Sequence, residues 1–422
     1  MSSAVTATGR RATRELANAA DAGRHIAATA LSDGPVGPVG LELEAHCIDL
    51  ADPLSRPEWP ELSAAVAALP SLPGASTLSM EPGGAVELSG PPLPGASAAI
   101  EAMQADQEVL AAEFHRRGLG LLPLGTDPLR LTRRINPGGR YQAMEAFFSA
   151  QGTAAAGAAM MSCTAALQVN LDAGPRAGWA DRLALAQALG PTMIAIAANS
   201  PVLSGLSTGY CSSRQWIWHQ LDAARCGAFY AGGDPAAGWA HFALDAPVML
   251  VAGPAPRPVT TRVLFRDWAD GRVRLGGRRP TVADLDYHLT TLFPPVRLRR
   301  WLEIRYLDAL PDALWPAVVG VLVTLLDDPV AAQIAREATQ PVSDCWQRAA
   351  QRGLSDPQLH RAAVACVAVA AERAPRALVA AIGQLLDRVQ RGRCSADDFQ
   401  DLVAVHGIAG AAARLAGSGE QH

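Results

Sequence analysis

Four short segments of the chain share one pattern, in which polar residues sit two apart with apolar residues around them. Glu42 and Glu44 alternate with Leu41 and Leu43. Gln168, Asn170 and Asp172 alternate with Leu167, Val169 and Leu171, and Glu303 and Arg305 flank Ile304. The fourth segment, TLSMEPGGAVELSG (77–90), reads as two strands that carry Glu81 and Glu87 around a Pro-Gly-Gly turn. Successive side chains on a strand point to opposite faces, so each polar set shares one face while its neighbours bury the other. In an ordinary antiparallel sheet such alternation means only that one face meets water, and for any single strand that reading is favoured. The polar set here is unusual for a wet face: short carboxylates and carboxamides in place of Lys, Thr and Arg. Five glutamates on one concave face repel one another unless cations lie between them. Oxygen-rich clusters of this kind suit Mg²⁺ or Mn²⁺ together with a nucleotide's phosphates.

The 422 residues carry 36 basic side chains against 40 acidic ones, and every basic residue is arginine. The absence of lysine excludes Schiff-base chemistry and the lysine-bearing P-loop. Any phosphate must then be met by arginine, backbone N–H groups and metal ions. A formal charge of −4 with no basic stripe gives no reason to expect nucleic acid or an anionic membrane as a partner. The longest apolar runs, such as AVVGVLVTLL (317–326), fall short of the roughly 20 residues a bilayer needs. The N-terminus lacks an apolar signal region. The 7 cysteines show no CxxC spacing and read as reduced thiols of a cytoplasmic protein.

Along the chain, helical periodicity is expected at 11–30, 95–118, from Tyr141, at 178–198, 210–224 and 282–293. Strands are expected at 40–50, 118–125 and 163–172, and more weakly at 247–252 and 261–265; residues 297–308 alternate polar with apolar. From about 311 to 415 the pattern is helical and Ala-rich. The simplest architecture is a single α+β catalytic domain over 1–422, with a core at about 34–310 and a C-terminal helical layer at about 311–415. A sheet face that gathers divalent ions and arginines without lysine fits ATP-dependent phosphoryl transfer without a P-loop. Arg305, beside Glu303, is placed to reach the phosphates.

The strings GLELEAH, EPGGAVELSGPPL, PGGRYQAM, CTAALQVNLD, ANSPVLSG, SRQWIW and LTTLFPPVRLRRWLEIRYLDALP occur in this order over about 40–330. In this the chain resembles glutamate-cysteine ligases of the plant/proteobacterial type, members of the carboxylate-amine ligase group related to glutamine synthetase. Its Arg-only, Ala-rich composition is similar to the actinobacterial branch that makes γ-glutamylcysteine for ergothioneine biosynthesis. The resemblance implies a six-stranded antiparallel sheet curved into a half-open funnel. It also implies ATP and Mg²⁺ (or Mn²⁺), with L-glutamate and L-cysteine as partners. It places Glu42, Glu44, Glu81, Glu87, Gln168 and Glu303 at the metals, Arg305 and Asn170 at ATP, and Glu303 and Arg305 in catalysis. Arg214 and Trp218 resemble the residues that hold substrate glutamate, with Arg140 as a second substrate arginine. EPGGAV departs from the family's EPGGQ-type motif, so any glutamine contact at Ala85 or Val86 is lost. No cysteine matches the redox pair of plant members.

GLSTG (205–209) fits a nucleophile-elbow string around Ser207, but a loop precedes it where the elbow needs a strand. His46 shares a face with Glu44, and a packing role is favoured over a ligand role; Cys47 points to the core. Three other functions remain open from the residues: a ligase joining glutamate to another amine, a metal-dependent hydrolase, and a non-catalytic binder that keeps the fold.

Overall fold

The computed structural model describes residues 13–229 and 232–417, so the first two residues of the helix expected at 11–30 lie outside it. Its main sheet has eight strands: β1 Pro38–Asp49, β2 Thr77–Met80, β3 Val86–Ser89, β4 Leu93–Pro94, β5 Leu119–Leu122, β6 Ala166–Asp172, β7 Val296–Leu298 and β8 Trp301–Asp308. Six run in the order β7-β8-β6-β1-β3-β2, while β4 and β5 pair with the two ends of β1. Every pairing is antiparallel, and the sheet is open. The expected count of six is met by the continuous path; β1 is long enough to take two more partners at its ends.

Register turns the period-two pattern into a surface. Glu42 lies opposite Gln168 on one side and Ser89 on the other, Glu44 opposite Glu87, and Glu303 opposite Asn170. Each polar set is thereby brought to one face, the front. The interleaved Val39, Leu41, Leu167, Val169, Leu171, Leu302 and Ile304 are buried on the back. A one-residue slip would exchange the two faces, so the register is strongly specified.

Helices α1 Ala19–Ala30, α2 Gly95–His115, α3 Gly139–Ala150, α4 Ala154–Cys163, α5 Trp179–Ala197 and α6 Ser213–His219 surround the sheet. Of these, α5 packs on the back face, where the Tyr306 hydroxyl donates to the Ala186 carbonyl at 3.1 Å. The C-terminal layer follows with α7 Trp315–Asp327, α8 Pro329–Thr339, α9 Trp346–Arg352, α10 Pro357–Arg373, α11 Arg376–Gln390 and α12 Ser395–Gly417, the last broken at Gly407. Two Asp-Pro pairs punctuate it. Asp328 and Asp356 each accept two first-turn N–H groups, and the proline that follows is preset for the helix start. The apolar run 317–326 is the heart of α7, buried throughout from Trp315 to Leu326. No single helix among the described residues is long and apolar enough to cross a membrane.

Several local expectations change. The strand expected from Cys163 starts at Ala166, because α4 occupies the residues before it. The helix expected at 210–224 is two pieces, α6 and Ala223–Cys226. At 261–265 there is one bridge, Leu264 to Pro247, and then a short helix Phe265–Ala269. Residues 297–308 form a hairpin whose turn holds Arg300 at φ 71°.

The C-terminal layer docks on α5 through a close approach: a Cβ built on Gly190 would lie 2.1 Å from the Trp346 ring. Gly190→Ala should therefore destabilise the fold by about 1–3 kcal/mol through overpacking, read as a lowered Tm.

Candidate active site

The front of the sheet floors a cavity of about 250 Å³ lined by Glu42, Glu44, Glu81, Glu87, Gln168, Arg214, Trp218, Arg140 and Arg305. Nine of the eleven residues expected at the site thus meet in one place. Asn170 and Glu303 lie outside the lining. Asn170 ties Glu42 (3.0 Å) to the Trp301 indole N–H (2.7 Å).

The glutamates are set by different devices. Glu44 on β1 accepts the Ala166 N–H and the Gln168 amide, each at 2.9 Å. Glu87 on β3 accepts the hydroxyls of Ser79 and Ser89 at 3.2 and 2.9 Å. Glu81 sits on the Pro-Gly-Gly turn, which closes through Glu81 N–H to Ala85 O at 2.8 Å and needs Gly84 at φ 90°. A Cβ on Gly83 would lie 2.1 Å from the Ser162 carbonyl oxygen, so this turn can rest on α4 only with glycine there. The Arg56 guanidinium clamps it from outside by donating to the Gly83 carbonyl at 2.8 Å.

Burial and mutual repulsion push the carboxyls of Glu42, Glu44 and Glu81 upward. Glu44 is raised to about 7 by loss of solvent and the charge of Glu87. Glu81 is raised to about 8 by loss of solvent and the charges of Glu44 and Glu87. Glu42 is raised by the same kind of burial, with Glu303 and Glu87 adding to it. Glu303 behaves in the opposite way. Its burial is outweighed by Arg297, Arg305 and Arg299, which hold its carboxyl down at about 2. Arg297 donates to both of its oxygens, the Nη2 bond at 2.9 Å, while Arg299 and Arg305 each approach to 3.2 Å. Glu303, expected at a metal, is fully buried among three arginine side chains, so its charge is offset within the fold.

Arg305 also donates to the Gln168 amide oxygen at 2.6 Å. Arg214, 3% exposed, donates from Nη2 to the Arg305 carbonyl at 2.8 Å, and its Nε and Nη1 have no hydrogen-bond partner. Two unmet donors on a buried guanidinium that lines a cavity are costly to leave unmade; they lie on different edges of the planar fork, so each calls for an acceptor of its own. The Trp218 indole N–H beside it is likewise unpartnered, and its ring packs on Phe293 at 5.6 Å. Arg140 is held by Thr290 at 3.0 and 3.1 Å and lies over the Tyr287 ring.

Among the described residues no three carboxylate, imidazole or thiol groups converge on one point at ligating distance. The donor chemistry still fits a divalent cation. Glu42, Glu44, Glu81 and Glu87 are oxygen donors in one cavity, and three of their carboxyls are raised by burial first and by mutual repulsion second. His46 is buried below the front face, its Nε2 unpartnered, and burial lowers it to about 4. Cys47 faces the core as expected. Ser207 lies on a two-residue strand of a small hairpin, not on an elbow.

Sequence reasoning missed Arg297, Tyr141, Thr164 and the methionines 144, 160 and 161, all of which line the cavity. Arg297 lies directly across from Glu303, brought there by a tight turn at Arg299-Arg300.

With the fold and this face described, the family follows. Residues 38–416 match Glutamate-cysteine ligase family 2 (GCS2), and the chain belongs to that family. It is 64% identical over 404 residues to the glutamate–cysteine ligase EgtA of Mycolicibacterium smegmatis, covering 95% of this chain and 96% of that protein. It is 58% identical over 402 residues to the EgtA of Mycobacterium tuberculosis strain H37Rv, covering 94% and 93%. The fold is similar to the crystal structure of the Francisella tularensis glutamate–cysteine ligase in complex with AMP. The TM-score is 0.55 at 12% identity, over 91% of this chain and 88% of that one.

A carboxyl with a folded pKa above its unfolded value keeps its proton in the fold after the unfolded chain has lost it. Folding is then weakened as pH rises from the ordinary 4.5 through about 7 for Glu44 and about 8 for Glu81. In chelator, thermal melts should give a Tm that falls across this window. Glu81→Gln should flatten the slope.

Proposed function

We propose that this chain joins the γ-carboxylate of L-glutamate to the amine of L-cysteine at the expense of ATP, giving γ-glutamylcysteine, ADP and phosphate, as the first step toward ergothioneine. The observation that carries the reading is Arg214, a buried guanidinium with two open donors beside a cluster of four glutamates and Arg305. Family membership and the named relatives support the same activity. The seven free cysteines accord with a reducing, cytoplasmic setting.

The Arg214 guanidinium binds the α-carboxylate of glutamate, and Trp218 closes the site against it. The γ-carboxylate then points along the sheet face toward Arg305. One of its oxygens attacks the terminal phosphorus of ATP, and ADP leaves. The amine of cysteine attacks the resulting acyl phosphate, and phosphate leaves as the γ-peptide bond forms. No side chain acts as nucleophile. The chain's contribution is to hold reactants in line and to oppose developing charge with a guanidinium that does not have to reorganise. Arg305 supplies that charge, and the cage at Glu303 with the Gln168 amide fixes its direction. Glu42, Glu44, Glu81 and Glu87 would hold Mg²⁺ or Mn²⁺, which when bound neutralises phosphate oxygens.

Mass spectrometry of a reaction containing glutamate, cysteine and Mg-ATP should yield γ-glutamylcysteine with one ADP per product. Replacing cysteine by other amines tests the acceptor; a different preferred amine would overturn that part of the reading. Arg214→Ala should lower kcat/KM for glutamate by about 100-fold, the scale of a lost charge-assisted hydrogen bond. With the intact enzyme, Mg²⁺ should raise Tm more at about pH 8 than at about pH 5.5, because ligation requires the ionised carboxylates.

A further inference from the structure

The arginine that faces the substrate is itself held from behind. On β8 the front-facing residues are Trp301, Glu303 and Arg305, and strict alternation would send Asp308 to the back. The pairing with β6 prevents that: Ile304 lies opposite Val169, but Leu307 lies opposite Leu167. Three residue steps on β8 thus match two on β6. This bulge turns Asp308 onto the front, opposite Ala166.

There Asp308 is 2% exposed and makes three hydrogen bonds. One oxygen accepts the Ser212 hydroxyl at 2.9 Å; the other accepts the Ser200 hydroxyl at 2.7 Å and the Asn199 N–H at 2.9 Å. An ionised carboxylate only accepts, so both hydroxyls must spend their single proton on it. Their lone pairs then face the start of α6. Ser200 Oγ takes the Arg214 N–H and Ser212 Oγ takes the Gln215 N–H, each at 3.2 Å. Asp308 also lies 4.0 Å from Arg214 Nη1, close enough to offset its charge and too far to occupy it.

We propose that Asp308 is the positioning residue of the glutamate subsite. Acting through Ser200 and Ser212, it fixes the backbone from which Arg214 projects, and so the direction in which the guanidinium meets the substrate carboxylate. The proposal rests on the reading of Arg214 given above. An asparagine at 308 cannot reproduce the arrangement, since its NH₂ must confront either a hydroxyl that has been donating or the Asn199 N–H.

The test is steady-state kinetics on the full-length enzyme with Asp308→Asn and Ser200→Ala, alongside Tm. Asp308→Asn should raise KM for glutamate by about tenfold or more while KM for ATP stays within about twofold. Ser200→Ala should move the same constant in the same direction by less. A uniform change in all constants, or a lowered Tm with an unchanged glutamate KM, would overturn the proposal by showing a merely structural residue. If Asp308→Asn does not fold, Ser200→Ala and Ser212→Ala carry the same test. Arg214→Ala separates the two levels. If it leaves glutamate KM unchanged, the subsite reading fails; if it raises KM and the other variants do not, only the positioning role fails.

Discussion

A chain of charged hydrogen bonds runs across the front of the sheet, and the site depends on it: Arg297 to Glu303, Glu303 to Arg305, Arg305 to Gln168, Gln168 to Glu44. It crosses from β7 through β8 and β6 to β1, four neighbouring strands. A buried carboxylate is tolerated only where paired and hydrogen-bonded, and Glu303 meets that condition through three guanidinium groups. At the other end of the chain the condition is not met. Glu44 and Glu81 have no cationic side chain in contact, and their carboxyls are driven up. One end of the face is electrostatically closed and the other is left open, and at the open end the carboxyls hold their protons to higher pH than usual.

That asymmetry sets Glu303 apart from the glutamates it resembles in the sequence: its surroundings lower its carboxyl and theirs raise Glu42, Glu44 and Glu81. The period-two pattern correctly puts them on one face, because backbone geometry alone decides which side a strand residue takes. It carries no information on what stands across from each. Glu303 faces an arginine at a distance of six residues, reached through a turn at Arg299-Arg300 that contains no Gly, Asn or Asp. Turns are normally read from those residues, so the hairpin was hidden and Arg297 with it.

The same limit governs Asp308. Alternation counts residues, and one inserted step in the pairing of β8 with β6 reverses its prediction. Most of the sheet, the turn at Glu81 and six of the nine cavity residues were legible because each rests on a local rule of two-residue period or glycine conformation; Arg214, Trp218 and Arg140, on helices, came only from the family resemblance. What was not legible arises from what pairing and packing set across from each residue. The methionines of α3 and α4 belong here too, since their apolar pattern reads equally well as core.

Arginine is suited to every cationic position in this arrangement, and that makes the absence of lysine tolerable. Arg214, Arg297 and Arg305 are all withdrawn from solvent. A buried ammonium loses its proton readily, whereas a guanidinium keeps its charge. Its planar fork also lets one side chain serve several partners. Arg297 meets both oxygens of Glu303 and still donates to the Leu292 carbonyl at 3.1 Å. Arg214 spends one nitrogen on the Arg305 carbonyl, which couples the two arginines directly, and keeps two for a ligand. A lysine at 214 would have a single nitrogen for both tasks, and the link that fixes its direction would compete with the substrate it is there to bind.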